Sequence, residues 1–404
     1  MSDFKLKKFL SSTFICSALH TSLISCVLIP FFKSVAMLPL QISLLITIKR
    51  LVRLIGDTFF GVIFDRFGAK IVFLLGRLMK LVSYFILLSN QSFTVLCIAM
   101  VIYGLSEGTI QGKVSSFIYN NLKANDKLSS FSRAMSAYYL TIDLHIALMS
   151  FIAGVLLKMY GYDLVIYISI VMNIFSFFLL LKLIPNDNKD GINDFKSKSI
   201  KSIWLTLKNV ISKNRLFGYL IALYGILVFF AWQFGSIASM VLLDMGMDGT
   251  GIATLGSVIK ICMAVGTLIP MFIFKRSFSL NIVSIVLLIL VAFGVISAVF
   301  YNIYLFCLFM IVLELLYVVL EVSLEKNLEQ FSDKTIRGTA ISLAITFGNI
   351  VAVVANLFIG LIAQYFSHKF ALCLILFSTL LICCFILLKV RQISIKMKIF
   401  PQVA

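Results

Sequence analysis

Twelve apolar segments, each long enough to cross a lipid bilayer, constrain this chain more than any other feature of its 404 residues. A membrane-spanning helix needs roughly 18 to 25 predominantly apolar residues. Such segments, here called spans one to twelve, lie at residues 9–31, 40–64, 71–89, 93–117, 134–157, 163–184, 216–242, 250–273, 281–300, 303–324, 338–363 and 368–388. With 61% hydrophobic and 13% charged residues, the composition excludes a water-soluble domain and predicts an all-α integral membrane protein.

The basic residues alternate from one side of the predicted spans to the other. Clusters of Lys and Arg precede span one and follow spans two, four, six, eight, ten and twelve, whereas the opposite loops hold only Lys33, Lys158 and Lys369. By the positive-inside rule, this pattern predicts that both termini lie in the cytoplasm. The net charge of +18 therefore reflects membrane topology, and we expect no binding of nucleic acid.

A long polar segment divides the spans into two sets of six. We predict an N-terminal half at residues 1–184, a cytoplasmic linker at 185–215, and a C-terminal half with a basic tail at 216–404. Shifting the second half back by 210 positions aligns similar residues at equivalent depths: Phe274-Lys275-Arg276 with Phe64-Asp65-Arg66, Gly266 with Gly56, and Lys260 with Arg50. Two parallel helical repeats with a binding site between them near the bilayer midplane are a recurrent transporter plan.

A short charged segment joins spans two and three, and it reads Gly61-Val62-Ile63-Phe64-Asp65-Arg66-Phe67-Gly68-Ala69-Lys70. Its ionic side chains are costly in hydrocarbon, so we expect a turn at the aqueous edge. The segment resembles G-x-x-x-D-R-x-G-R-[RK], the signature that follows span two in the major facilitator superfamily, with Ala69 in place of a basic residue. Two further segments are similar to family sequences in spans four and eleven: Tyr103-Gly104-Leu105-Ser106-Glu107-Gly108 and Arg337-Gly338-Thr339-Ala340-Ile341-Ser342.

This resemblance covers the whole chain and implies a transporter of twelve helices in two six-helix pseudo-repeats. It implies that Asp65 caps the cytoplasmic end of span eleven, near Thr339, and latches the halves in the outward-facing state. The residues of this conformational latch would be Gly61, Asp65, Arg66, Gly68 and Lys70. The efflux signature typical of span five in drug and proton antiporters is absent, because residues 142–150 read Ile-Asp-Leu-His-Ile-Ala-Leu-Met-Ser. The direction of transport therefore stays open.

Charged side chains inside the spans are the candidates for function. A charge at the bilayer centre costs at least about 2.5 to 3.5 kcal/mol, so these groups should face protein or water. Moving a carboxylate between wet and dry surroundings changes its protonation, and the proton-coupling candidates are Glu107, Asp143 and Glu314. The cavity charge and substrate candidates are Arg50, Arg53, Asp57, Lys260, His20 and Trp232. The resemblance implies that Glu107 and Glu314 face each other across the cavity.

Two interpretations of these charges remain open. In one, at least one carboxylate changes protonation during the transport cycle. In the other, Arg53 and Asp57, with Glu107 or Asp143, form ion pairs that only hold the helices together. His20 is expected to be a hydrogen-bonded interior histidine, and Arg77 and Lys80 in span three are expected to snorkel toward the cytoplasm.

Neither an enzyme activity nor a cofactor is expected. The sequence contains no glycine-rich nucleotide loop ending in Gly-Lys-Ser or Gly-Lys-Thr, so we do not expect ATP-driven pumping within this chain. The eight cysteines all fall within apolar spans without ligand spacing, so no metal is expected.

The sequence and the resemblance together predict a monomeric, proton-coupled secondary transporter of the cell inner membrane. Its partners would be protons, a small-molecule substrate and the lipid bilayer. The favoured activity is export of a small amphipathic compound such as a drug or a secreted metabolite. One alternative is proton-coupled uptake of a small anionic nutrient, favoured by Arg50, Arg53 and Lys260. Another is a non-transporting membrane receptor of the same fold.

Overall fold

The computed structural model describes residues 15, 18–20, 22–89, 91–110, 113–114, 117–118, 131–184, 215–273, 302–331 and 337–397. This part of the chain is almost wholly helical. A short 3-10 turn at Ile24–Cys26 precedes ten α-helices: α1 (Leu28–Ser34), α2 (Pro39–Phe67), α3 (Ala69–Ser89), α4 (Phe93–Gly108), α5 (Phe131–Leu183), α6 (Arg215–Asp244), α7 (Gly249–Ile273), α8 (Ile303–Phe331), α9 (Arg337–Tyr365) and α10 (His368–Met397).

The helices reproduce most of the predicted spans. Helix α5 comprises spans five and six, which meet at Gly161, where φ of 79° and ψ of −173° interrupt the helical geometry. Within the described residues, six helical segments are long and apolar enough to cross a membrane: Ala69–Ser89, Ala137–Leu183, Ile221–Asp244, Gly249–Gly266, Thr346–Tyr365 and His368–Ile386. The predicted all-α membrane fold is therefore confirmed. Span nine and most of the predicted linker lie outside the described residues.

The local structure of the first half recurs in the second half 210 residues later. Helices α2 and α7 begin at Pro39 and Gly249, and α4 and α8 begin at Phe93 and Ile303. The turns before α2 and α7 each contain a residue with positive φ, Ala36 at 59° and Gly246 at 91°, again 210 positions apart. The faint sequence alignment at this shift thus corresponds to a repeated backbone.

Helix packing repeats at the same interval. A Cβ atom added to Gly56 would lie 3.5 Å from Leu105 Cδ2, and one added to Gly266 would lie 3.5 Å from the carbonyl oxygen of Leu315. Leu105 and Leu315 are 210 residues apart, as are Gly56 and Gly266. The close approach of Gly56 to Leu105 therefore recurs between Gly266 and Leu315.

The charged segment between spans two and three is more helical than the sequence suggests. Helix α2 continues to Phe67, and the turn consists of Gly68, whose N–H donates to the Phe64 carbonyl at 2.9 Å. The φ of 83° at Gly68 is a left-handed value that glycine adopts without steric cost. The Asp65 side chain and that of Thr339 lie outside the described residues, so the latch stays a prediction.

Two compact units emerge from the contacts within the chain. The first comprises Met1–Ser197 with Met247–Ala264, and the second comprises Lys198–Gly246 with Val265–Ala404. In the first unit, the beginning of α7 lies against span five, where Ser150 Oγ donates to the Ala253 carbonyl at 2.9 Å. The division into halves at 1–184 and 216–404 stays a prediction of the sequence.

Burial in this protein differs from that in a water-soluble protein at its surface and at its charged residues. Large apolar side chains are exposed, and Phe175 on α5 is 69% exposed. In contrast, the cations of Arg53 and Arg77 are 8% and 1% exposed. Such a surface is suited to acyl chains, and it directs ionic groups to the spaces between helices.

The packing of α2 against α4 predicts different stabilities for the alanine variants of Gly104 and Gly56. A Cβ on Gly104 would collide with the Lys49 carbonyl oxygen and lie 3.2 Å from Val52 Cβ, whereas a Cβ on Gly56 meets only ordinary contacts. We expect Gly104→Ala to lower stability by about 1 to 3 kcal/mol through overpacking. Gly56→Ala should melt near the wild type in thermal unfolding of the detergent-purified protein. Equal melting temperatures for both variants would contradict this packing.

Candidate functional site

The centre of the candidate site is the carboxylate of Glu107 on α4. One of its oxygens lies 3.4 Å from Lys49 Nζ, and the other lies 3.6 Å from Arg53 Nη1. Lys49 and Arg53 are one helical turn apart on α2, so both reach the same level of the neighbouring helix. The structure therefore brings together two of the predicted residues, Arg53 and Glu107, and adds Lys49.

Two glycines hold this centre in place. Gly104 and Gly108 flank Glu107 on α4, and both face the backbone of α2. A Cβ on Gly108 would lie 2.8 Å from the carbonyl carbon of Gly56, which is closer than real side chains approach. Because the two backbones nearly touch on either side of Glu107, its side chain is directed to the cations of α2.

A second group of polar residues adjoins the first through Tyr103. The ring centroid of Tyr103 lies 5.2 Å from Lys49 Nζ and 5.3 Å from Lys80 Nζ, within the range of cation–π contact. The Tyr103 hydroxyl is 3.4 Å from Ser22 Oγ, which in turn is 2.5 Å from the Tyr84 hydroxyl. Span one, α3 and α4 thus share one buried polar cluster.

Span three carries cations that point inward, and the expectation that Arg77 and Lys80 snorkel to the cytoplasm is wrong. Arg77 is 1% exposed and Lys80 is 6% exposed. Arg77 Nη1 donates to Asn173 Oδ1 at 3.1 Å, and Asn173 Nδ2 donates to the Arg77 carbonyl at 2.9 Å. These two hydrogen bonds hold Arg77 against span six. They take the place of the hydration that the guanidinium would gain by snorkelling.

Asp57, a predicted cavity charge, forms an ion pair with Lys113. The Lys113 ammonium also donates to the backbone carbonyl of Asp57, and to that of Gly108 at 3.0 Å. Lys113 therefore neutralises a carboxylate of α2 and satisfies the Gly108 carbonyl at the end of α4, where a positive charge is favourable. This arrangement matches the interpretation of an ion pair that holds helices together.

Asp143 and Lys260, both predicted candidates, form a third ion pair. The Lys260 ammonium lies 3.1 Å from Asp143 Oδ1, and the Asp143 side chain is 13% exposed. This contact joins α7 to span five within the first unit.

The other predicted residues have varied surroundings. His20 Nε2 lies 2.9 Å from the Tyr138 hydroxyl, as expected for an interior histidine. Arg50 is 7% exposed, and Glu314 on α8 is partly buried. The Trp232 side chain lies outside the described residues. Glu107 and Glu314 belong to different units, so their facing each other stays a prediction.

Sequence reasoning missed the contribution of span three. A signal was present, because Arg77, Lys80 and Tyr84 recur at intervals of three and four residues and so share one helix face. Their position one to two turns into the span favoured snorkelling, and the burial of that face against α4 and span six was not visible in the sequence.

Residues 10–320 match the family model of the Major Facilitator Superfamily. The chain belongs to this family. Membership confirms the resemblance and indicates a multi-pass membrane protein of a transporter family. An uncharacterized transporter of Buchnera aphidicola subsp. Schizaphis graminum (strain Sg) is 26% identical over 149 residues, 36% of this chain. That match spans 37% of the relative's length.

Solved structures of transporters have the same fold. The nucleoside transporter NupG superimposes with a TM-score of 0.72 at 13% identity, covering 96% of this chain and 99% of that one. The POT family transporter PepTSo also superimposes with a TM-score of 0.72 at 13% identity, covering 96% and 98% of the two chains. At such identities the likeness concerns the fold alone.

The Asp57–Lys113 pair predicts non-additive effects on stability. Lys113→Met leaves Asp57 without its cation, and we expect a loss of roughly 1 to 3 kcal/mol, less than for a fully buried pair because Asp57 is partly exposed. The double variant Asp57→Asn with Lys113→Met should recover part of this loss, measured by thermal unfolding in detergent. The exposed Lys158→Met serves as the control for removal of one charge. A Lys113→Met protein that melts like the wild type would exclude the structural role.

Proposed function

We propose that this protein is a secondary active transporter that works by alternating access and is coupled to protons through Glu107. The observation that carries the proposal is the Glu107 carboxylate between Lys49 Nζ at 3.4 Å and Arg53 Nη1 at 3.6 Å. One anion compensates two cations inside the membrane-spanning region. Protonation of that anion changes the charge balance of the whole cluster.

The coupling follows from the cost of uncompensated charge. When Glu107 takes up a proton, Lys49 and Arg53 lose their common counter-ion in a poorly hydrated interior. An anionic group of the cargo then restores the balance by binding to the same cations. Proton and cargo anion therefore bind cooperatively and travel in the same direction, since each makes binding of the other more favourable.

Asp143 and Glu314 are the remaining proton-coupling candidates. Asp143 faces a single cation, Lys260. Its protonation would break one ion pair between α7 and span five, which suits a role in opening the helices. We propose Glu107 as the principal site because its protonation releases two cations at once.

The cations around Glu107 indicate which class of solute is transported. Lys49, Arg50 and Arg53 lie near the carboxylate of Glu107, and this concentration of cations favours uptake of a small anionic nutrient. Export of a small amphipathic compound, the activity favoured by the sequence, is the second candidate. Its support is the family resemblance together with the apolar aromatic residues of the spans.

We further propose that the protein resides in the cell inner membrane as a monomer, with both termini in the cytoplasm. The alternation of basic residues between successive loops supports this orientation. In it, the basic tail after residue 388 faces the cytoplasm.

Proteoliposomes with an imposed pH gradient and a pH-sensitive dye in the lumen test the proposal. Addition of a transported anion outside should speed acidification of the lumen in the wild type. Glu107→Gln should reduce this coupled acidification by about tenfold or more while the protein stays folded, because proton uptake at this site is lost. Asp163→Asn, which removes an exposed carboxylate from span six, is the matched control.

The outcomes separate the candidate functions. Unchanged proton movement in Glu107→Gln would refute coupling through Glu107, and unchanged movement in Glu314→Gln would exclude that second candidate. Proton movement opposite in direction to that of an amphipathic cargo would establish export. A wild type that moves neither protons nor any solute would favour the receptor of the same fold.

A further inference from the structure

Lys80 differs in its partners from four other cations of the first unit. Lys49, Arg53, Lys113 and Lys260 each face a carboxylate. Among the described residues, no carboxylate lies within 4.0 Å of the Lys80 ammonium, although the residue is only 6% exposed. The Lys80 ammonium instead lies over the ring of Tyr103, with 5.3 Å between Nζ and the ring centroid.

An aromatic ring compensates a buried ammonium ion only in part. A cation–π contact is weaker than the desolvation cost of burying the ion. A charged lysine on a membrane-spanning helix therefore persists where water or an anion from outside reaches it. Lys80 lies next to the proposed proton site, since the same Tyr103 ring lies 5.2 Å from Lys49 Nζ.

The surrounding groups suit an oxyanion. Two ammonium groups flank one tyrosine ring, and the hydroxyls of Tyr103 and Tyr84 are connected through Ser22. Ammonium ions and hydroxyl donors are the groups that bind carboxylate and phosphoryl oxygens in charge-assisted hydrogen bonds. In contrast, Arg77 is held by Asn173 in two hydrogen bonds and has a structural role.

We infer that Lys80, Lys49 and Tyr103 form the subsite that binds an oxyanion of the cargo, either a carboxylate or a phosphoryl group. The inference rests on the proposed function, because Glu107 occupies Lys49 in the absence of cargo and releases it on protonation. Lys80 is then the permanent cation of the subsite, and Lys49 is the cation that joins it. The cargo is accordingly a small solute that carries at least one oxyanion.

Thermal unfolding of the purified protein in detergent, without any gradient, tests this subsite. The probes are succinate and butyrate as carboxylates, glycerol 3-phosphate as a phosphoryl compound, glycerol as a neutral solute and putrescine as a cation. The carboxylates or the phosphoryl compound should raise the melting temperature of the wild type, and the arm that does so identifies the oxyanion. Lys80→Met should weaken the apparent affinity by about tenfold to hundredfold, the usual effect of losing a charged hydrogen-bond partner.

Matched variants give the control. Lys80→Arg should keep part of the affinity, and Lys158→Met, which removes an exposed lysine, should bind like the wild type. If Lys80→Met does not fold, labelling of Lys80 in the wild type by an amine-reactive reagent provides a second measurement. The oxyanion that binds should slow this labelling, as read by mass spectrometry, and leave labelling of Lys158 unchanged.

Each result supports or overturns the subsite. It is refuted if Lys80→Met binds oxyanions like the wild type, if only glycerol or putrescine stabilises the protein, or if no oxyanion does. Suppose that oxyanion binding depends on Lys80, but that Glu107→Gln moves protons like the wild type. This result would contradict the coupling proposal and leave the subsite intact. If Glu107→Gln loses proton coupling but Lys80→Met still binds oxyanions like the wild type, only the subsite is contradicted.

Discussion

The charge balance around Glu107 depends on the bilayer, which solvates ions poorly and therefore directs them inward. Phe175 is 69% exposed while Arg77 is 1% exposed, a distribution that would be unfavourable in water. Given this constraint, Lys49, Arg53 and Arg77 each lie against a polar side chain. Glu107 pairs with both Lys49 and Arg53, and Lys113 and Lys260 each pair with a carboxylate of their own.

Backbone packing and ion pairing are linked in this arrangement. Gly104 and Gly108 bring α4 against α2, and the short distance between the helices lets Glu107 reach Lys49 and Arg53. A larger residue at either glycine would separate the helices and lengthen both ion pairs. The same small residues that permit close packing in a membrane thus also set the electrostatics of the site.

The sequence predicted the parts of the fold that depend on local pattern. The break at Gly161 falls between spans five and six, and the repeat interval of 210 residues is present in the helix starts and in the contacts of Gly56 and Gly266. The contact of Arg77 with Asn173, 96 residues apart, depends on how α3 rotates against span six. Hydrophobicity determines where a span lies but leaves its rotation to packing, so the inward face of α3 was missed.

The repeat preserves backbone packing but not charge. The residues 210 positions after Lys49, Arg53 and Glu107 are Ile259, Met263 and Tyr317, so the second sequence repeat lacks these three ionic side chains at the equivalent positions. Glu314 instead occupies the position equivalent to Gly104, where a Cβ in the first unit would collide with the Lys49 carbonyl. The repeat therefore accounts for the shared helix starts and turns, whereas the ion pairs of Glu107 with Lys49 and Arg53 depend on side chains that the second repeat does not keep.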